Sequence, residues 1–162
     1  RLLDFQRDGD LTIVPKIEEA CAAVVALVKR ADDAGLLGSL HDGKKRAIGV
    51  DAACIKQTLD ALNAAGYPDE QIVGVSQGWR LTTAIKSTEL YLSSEALRHA
   101  RQPLMNWCVG NAKVEPKGNA VLITKQASGS AKIDPLMSLF SAVEVMALSP
   151  VAAGRSFWET AA

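Results

Sequence analysis

Two short apolar runs constrain this chain more than anything else in it. Arg46-Ala47-Ile48-Gly49-Val50 and Gln71-Ile72-Val73-Gly74-Val75 have the composition of buried strands. Between them Ile55, Leu59 and Leu62 recur at helical spacing, and Gly66-Tyr67-Pro68-Asp69 supplies a stop. Strand, helix of about four turns and strand form a βαβ unit, whose strands are expected to be parallel and joined by a right-handed crossover. Both strand C-termini then open onto one edge of the sheet, where open α/β folds hold their ligands. Asp51 stands at the tip of the first run, and Ser76-Gln77 follows the second.

The flanking segments extend the α/β pattern. Leu11-Thr12-Ile13-Val14 is a strand-like run closed by Pro15. Ile17, Ala20, Cys21, Val24, Leu27, Val28 and Ala31 follow at helical spacing, with Gly35 as the C-cap. Leu81 to Ala100 is predicted helical, in one or two pieces around Ser93-Ser94, and Pro103 to Val109 is a further short helix. Val114 to Ile123 contains two short runs about Pro116-Lys117-Gly118-Asn119, a hairpin signal. Gln126 to Ala131 is a loop, and Leu136, Met137, Phe140, Val143 and Ala147 mark a last amphipathic helix. Residues 1–150 are expected to form one domain, and 151–162, with Phe157 and Trp158, a tail outside it.

Eighteen basic residues balance eighteen acidic ones over 162 residues, so net charge points to no class of partner. No apolar run approaches the roughly 18 residues that span a membrane. The start at Arg1, without a secretory pattern, suggests a piece of something larger. Cys21, Cys54 and Cys108 are far apart and lack zinc-ligand spacing, so buried reduced thiols in an intracellular setting are expected.

The chemistry-bearing candidates are two carboxylates and a local excess of cations. Asp134, in Lys132-Ile133-Asp134-Pro135, opens the last helix, where an N-cap aspartate ahead of proline is a common start. The helix dipole there favours the anion, and an ionised carboxylate is also a ready ligand for a hard divalent ion. Asp51 carries the same two readings, a cap for the helix that follows it or a metal ligand. Between Arg98 and Lys132 the chain has Arg98, Arg101, Lys113, Lys117, Lys125 and Lys132 against one acid, Glu115. Such a stretch beside carboxylates suits a phosphodiester substrate, although a solvated face has the same composition.

Other signals weigh less. Gly38-Ser39-Leu40-His41-Asp42-Gly43-Lys44 matches most of a phosphate-binding loop. The required Ser/Thr is replaced by Lys45, and the segment precedes a strand instead of following one, so a solvated connector is expected. His41 is read as a loop residue. For His99, at a predicted helix end, an interaction with the helix dipole competes with phosphate contact. Trp79 and Trp107 are expected to be core or interface anchors in preference to base-stacking platforms.

Five blocks, in order, resemble the nuclease domain of the large terminase subunit of tailed bacteriophages. They are Ile48-Gly49-Val50-Asp51, Val75-Ser76-Gln77-Gly78-Trp79, Leu97-Arg98-His99, Pro103 to Asn111, and Lys132-Ile133-Asp134-Pro135-Leu136. The resemblance runs from about Leu11 to Leu148. It implies an RNase H-like fold, a central mixed sheet flanked by helices, and a carboxylate cluster binding two Mg²⁺ or Mn²⁺ ions. It also implies an endonuclease that cuts concatemeric phage DNA during packaging, in the cytoplasm of the bacterial host. The implied partners are double-stranded DNA, an N-terminal ATPase domain of the same polypeptide, the small terminase subunit and the portal protein.

Carried over by position, Asp51 and Asp134 match catalytic metal ligands, and Gln77, Gly78, His99 and Asn111 border the site. Lys132 also borders it and, with Lys113, Lys117, Lys125 and Arg98, is expected to contact DNA phosphates. The family's first catalytic aspartate has no match, since Asp4, Asp8 and Asp10 lie in a polar stretch without an apolar strand before them. The domain is therefore expected to lack its first strands and one carboxylate. Two alternatives stay open: a catalytically incomplete module binding DNA or the motor, and another RNase H-like nuclease or recombinase.

Overall fold

The computed structural model describes residues 1–38, 48–54, 56–125 and 131–148, which form a mixed α/β protein. Two compact units are present, one built from Val14–Val75 with the segment from Val145, the other from Arg1–Ile13 with Ser76–Glu144.

The first unit contains α2 (Ile17–Asp33), β1 (Ile48–Asp51), α3 (Lys56–Ala64) and β2 (Ile72–Val75); α1 (Leu2–Arg7) belongs to the other unit. The expected βαβ pairing is borne out. β1 and β2 are parallel, with Ile48 opposite Ile72 and Asp51 opposite Val75. α3 has nine residues, shorter than the predicted four turns, because a turn after Asp51 delays its start. Its end is closed as the sequence suggested. The Gly66 N–H donates to Asn63 C=O and the Tyr67 N–H to Leu62 C=O, satisfying two carbonyls at the helix end. The same pair of bonds ends α2, from Gly35 to Asp32 and from Leu36 to Ala31. Tyr67 and Leu62 then join Ile48 as the buried centre, with Val25, Val28, Leu37, Val50 and Ile72 packed against them. Leu62 is fully buried, which contributes about 1.5–3 kcal/mol by removal of its side chain from water.

The second unit contains α1 (Leu2–Arg7), α4 (Thr82–Ser93), α5 (Pro103–Gly110), the antiparallel hairpin β3 (Ala112–Lys117) and β4 (Ala120–Lys125), and the first turns of α6 (Asp134–Met146). Leu81 and Cys108 are its most deeply buried side chains. The Phe5 ring packs on Trp107 with centroids 5.4 Å apart. Leu136, Phe140 and Val143 are buried along α6, as their spacing predicted, while Ala147 lies beyond the helix and is exposed.

Several expectations need correction. Among the described residues the strands form two two-stranded sheets, not one central mixed sheet. Leu11–Val14 is not a strand, and Thr12 and Ile13 are exposed. β-Branched residues favour a strand only where a neighbour pairs with their backbone. Helix α4 stops at Ser93, and no second piece follows, because Glu95 sits in the left-handed region at φ 59°. Cys21 and Cys108 are buried free thiols as expected, but Cys54 is only half-buried. The Ser39–Lys45 connector with His41, the Gln126–Ser130 loop and the 151–162 tail lie outside the described residues. No described helix is long and apolar enough to cross a membrane.

Candidate metal and nucleic-acid site

Asp51 ends β1 with its side chain exposed. Its Oδ1 accepts the Ala53 N–H at 2.9 Å, and its C=O accepts the Cys54 N–H at 2.8 Å. The aspartate thereby shapes the tight turn between β1 and α3, in the way short carboxylates shape turns through the backbone two residues on. The turn is tied to the next strand by the Ala52 N–H, which donates to Val75 C=O at 3.1 Å. The Oδ1 bond goes to Ala53, ahead of α3, so Asp51 forms a turn at the C-terminal edge of the parallel pair and not the helix cap expected of it.

Asp134 is exposed and stands in the first turn of α6. The Met137 N–H donates to Ile133 C=O, so Ile133 takes the cap position and the helix begins at Asp134, one residue earlier than predicted. Its charge still lies at the positive end of the helix. Behind it, burial pushes the Cys108 thiol up from its ordinary value, and the Asp134 carboxylate adds to that shift.

Asn111, the C-cap of α5, donates from Nδ2 to Lys132 C=O at 3.0 Å. This bond fixes the approach to α6 two residues before Asp134, so three predicted site residues, Asn111, Lys132 and Asp134, share one locality. Asn111 also borders an open cleft of about 530 Å³ lined by Arg1, Phe5, Pro103, Asn106, Trp107 and Gly110.

The remaining candidates divide. Gln77 is half-buried ahead of a 3-10 turn over Gly78–Leu81, and Gly78 is exposed at φ +74°. Arg98 and His99 are exposed, and His99 Nδ1 accepts the Arg101 N–H at 3.1 Å, a turn-building role. Lys113, Lys117, Lys125 and Lys132 are all exposed. The hairpin register separates three of them: Lys113 lies opposite Thr124 and Lys117 opposite Ala120, both on one face, while Lys125 opposite Ala112 is on the other. Lys113 is engaged by Glu115 at 3.2 Å. A single flat row of phosphate contacts is therefore not what the hairpin offers.

Exposed carboxylate oxygens suit Mg²⁺ or Mn²⁺. Asp51 and Asp134 belong to different units. Among the described residues no group of three or more His, Cys, Asp or Glu is placed to hold a metal ion. The donors have the right chemistry but fall short of the bridged set a two-metal centre needs.

Neither Trp79 nor Arg80 was given a site role from the sequence. Trp79 is 58% exposed and so is not a core residue, whereas Trp107 packs on Phe5. The local signal was the run Gln77-Gly78-Trp79-Arg80 itself, polar residues and a glycine around one aromatic.

No family model, curated protein or solved structure matches this chain.

Proposed function

We propose that this chain is part of a metal-dependent DNA endonuclease of the large-terminase type, an RNase H-like domain acting on concatemeric phage DNA. The supporting observation is the parallel β1–β2 pair ending at an exposed Asp51, the element that carries the first of the five resembling blocks. In this reading Asp51 and Asp134 are ligands for Mg²⁺ or Mn²⁺. The ion, when bound, supplies an activated water and neutralises developing phosphate charge. Asn111 holds the α6 entry in place, and the exposed lysines meet the DNA backbone. The ATPase domain, small subunit and portal are partners of the whole protein under this proposal.

Plasmid cleavage with Mn²⁺ by the full-length parent protein tests it. Loss of cleavage in both Asp51→Asn and Asp134→Asn is expected; two variants that cut like the parent would sink the assignment.

A second reading, a DNA-binding module without cleavage, draws on charge. From Ser76 to Lys132 there are eight basic residues against three acidic ones, and the hairpin lysines are exposed. Binding that falls steeply with salt and ignores divalent ions, with no cleavage by the parent, favours it.

A further inference from the structure

Trp79 is an exposed aromatic of the type enriched where proteins meet partners. Its position is not that of a loose surface residue. Leu81, two residues on, is 1% exposed and pins the 3-10 turn to the interior. The Trp79 carbonyl accepts the Thr82 hydroxyl at 2.6 Å, and that same hydroxyl oxygen accepts the Val121 N–H of β4 at 3.0 Å. The turn is therefore fastened to the hairpin edge while the indole faces outward. The Arg80 guanidinium lies 5.5 Å from the indole centroid, and its Nη1 donates to Ser76 Oγ at 3.3 Å. Ring and cation are held as one preorganised, positively charged aromatic surface.

We propose that the Trp79–Arg80 pair is a stacking platform for an unpaired base of the DNA substrate. This rests on the DNA-acting reading above and adds to it a preference for distorted or single-stranded DNA. Every base has a π-face, so an exposed indole takes one without reading sequence, and a neighbouring arginine strengthens the stack and meets the adjoining phosphate. Along the sequence, the segment Ser76–Lys132 that carries the pair has eight cations, Arg80 among them, against three acids, Glu89, Glu95 and Glu115, a balance that favours a polyanion. An intact duplex cannot use the indole face, because its bases are already stacked on one another.

The test measures binding of the full chain to three fluorescent probes: a blunt duplex, the same duplex with a central unpaired bubble, and oligo-dT. Trp79→Ala is expected to weaken bubble and oligo-dT binding roughly 5- to 100-fold, with little change on the intact duplex. Trp79→Phe keeps most of the binding, since a π-face remains. Trp79→Leu, which keeps apolar bulk without a π-face, behaves like alanine and carries the test if the alanine variant fails to fold by circular dichroism. Folded variants that bind all probes like the wild type overturn the platform and leave the pair to a protein partner. An equal loss on duplex and bubble overturns it as well. If the wild type binds no probe at all, the DNA-acting reading itself fails, and that is seen before any variant is compared.

Discussion

Thr82 closes the outer edge of β4 at Val121. The Thr82 hydroxyl oxygen accepts the Val121 N–H at 3.0 Å and lies 3.1 Å from the Val121 carbonyl oxygen. One hydroxyl proton serves two carbonyls, those of Val121 and Trp79, and the Trp79 oxygen is the nearer. Because both polar groups of Val121 point away from β3, the pair Val121–Pro116 is one of the ladder's non-hydrogen-bonded positions. That is why a proline sits in the middle of β3: the donor it lacks would have faced outward.

Thr82→Val keeps the shape and removes the acceptor. The Val121 N–H then loses its partner at a half-buried position, at a cost of about 1 kcal/mol, the low end for an unsatisfied donor. Thr82→Ser retains the bond and much of the stability. Urea denaturation of the two variants distinguishes a hydrogen-bond effect from a packing one, since a packing effect would penalise serine more than valine.

The hairpin turn makes a second demand. Lys117 and Ala120 pair across Gly118-Asn119, with φ +58° at Gly118 and no positive φ at Asn119, the pattern of a type II′ turn. A side chain at Gly118 meets no neighbour, so the cost of Gly118→Ala is purely conformational, about 1 kcal/mol. Thermal melts should show this loss, and Asn119→Ala should be milder.

The pH response of the hairpin follows from Glu115. A hydrogen bond from Lys113 holds its carboxyl below the ordinary value of 4.5, a bond from Thr124 and the Lys113 charge acting in the same sense. A depressed folded-state value means the stabilising contribution is present above pH 4.5 and is lost as pH falls through the folded-state value. The stability difference between the wild type and Glu115→Gln should therefore shrink on acidification. Paired melts at neutral and acidic pH measure it; a difference that grew would reverse the sign and remove this account of the Lys113–Glu115–Thr124 contact.

The βαβ unit was legible because its signals are local: two apolar runs, helical spacing between them and a Gly-Tyr stop. The hairpin was legible for the same reason, through Pro116-Lys117-Gly118-Asn119, although Pro116 and Lys117 belong to β3 and the turn itself is Gly118-Asn119. Helix α1 was not, since only Phe5 of its six residues is buried and Leu2 and Leu3 are exposed, leaving no apolar stripe to detect. The break at Ser93-Ser94 was legible, but the absence of a second helical piece was not, because nothing in Ser94-Glu95-Ala96 announces a glutamate in left-handed backbone. At the site, Asp51 and Asp134 were found because strand and helix ends are set by neighbouring residues. The separation of Lys125 from Lys113 and Lys117 required the strand register, and the exposure of Trp79 is a tertiary property that composition does not carry.

Glu95 suggests a stabilising change. At φ 59° a glutamate pays a steric penalty that glycine avoids. Glycine also loses more freedom on folding, which offsets part of the gain, so Glu95→Gly should stabilise by up to about 1 kcal/mol. A lower urea midpoint for this variant would show that the Glu95 backbone is not strained.

Asp51 has two roles that substitution can separate. Alanine removes the carboxylate and also the Oδ1 that accepts the Ala53 N–H, so Asp51→Ala should lose about 0.5–2 kcal/mol of stability, as removal of a capping side chain does. Asparagine keeps an acceptor oxygen at the same place and removes only the charge, so Asp51→Asn should melt close to the wild type. If Asp51 serves only the turn, Asp51→Asn leaves Mn²⁺-dependent cleavage by the parent protein intact. If it is a metal ligand, cleavage falls while the melting curve stays in place, because a neutral amide oxygen holds a divalent ion far more weakly than a carboxylate does. Measuring both quantities on one preparation keeps a folding defect from passing as a catalytic one.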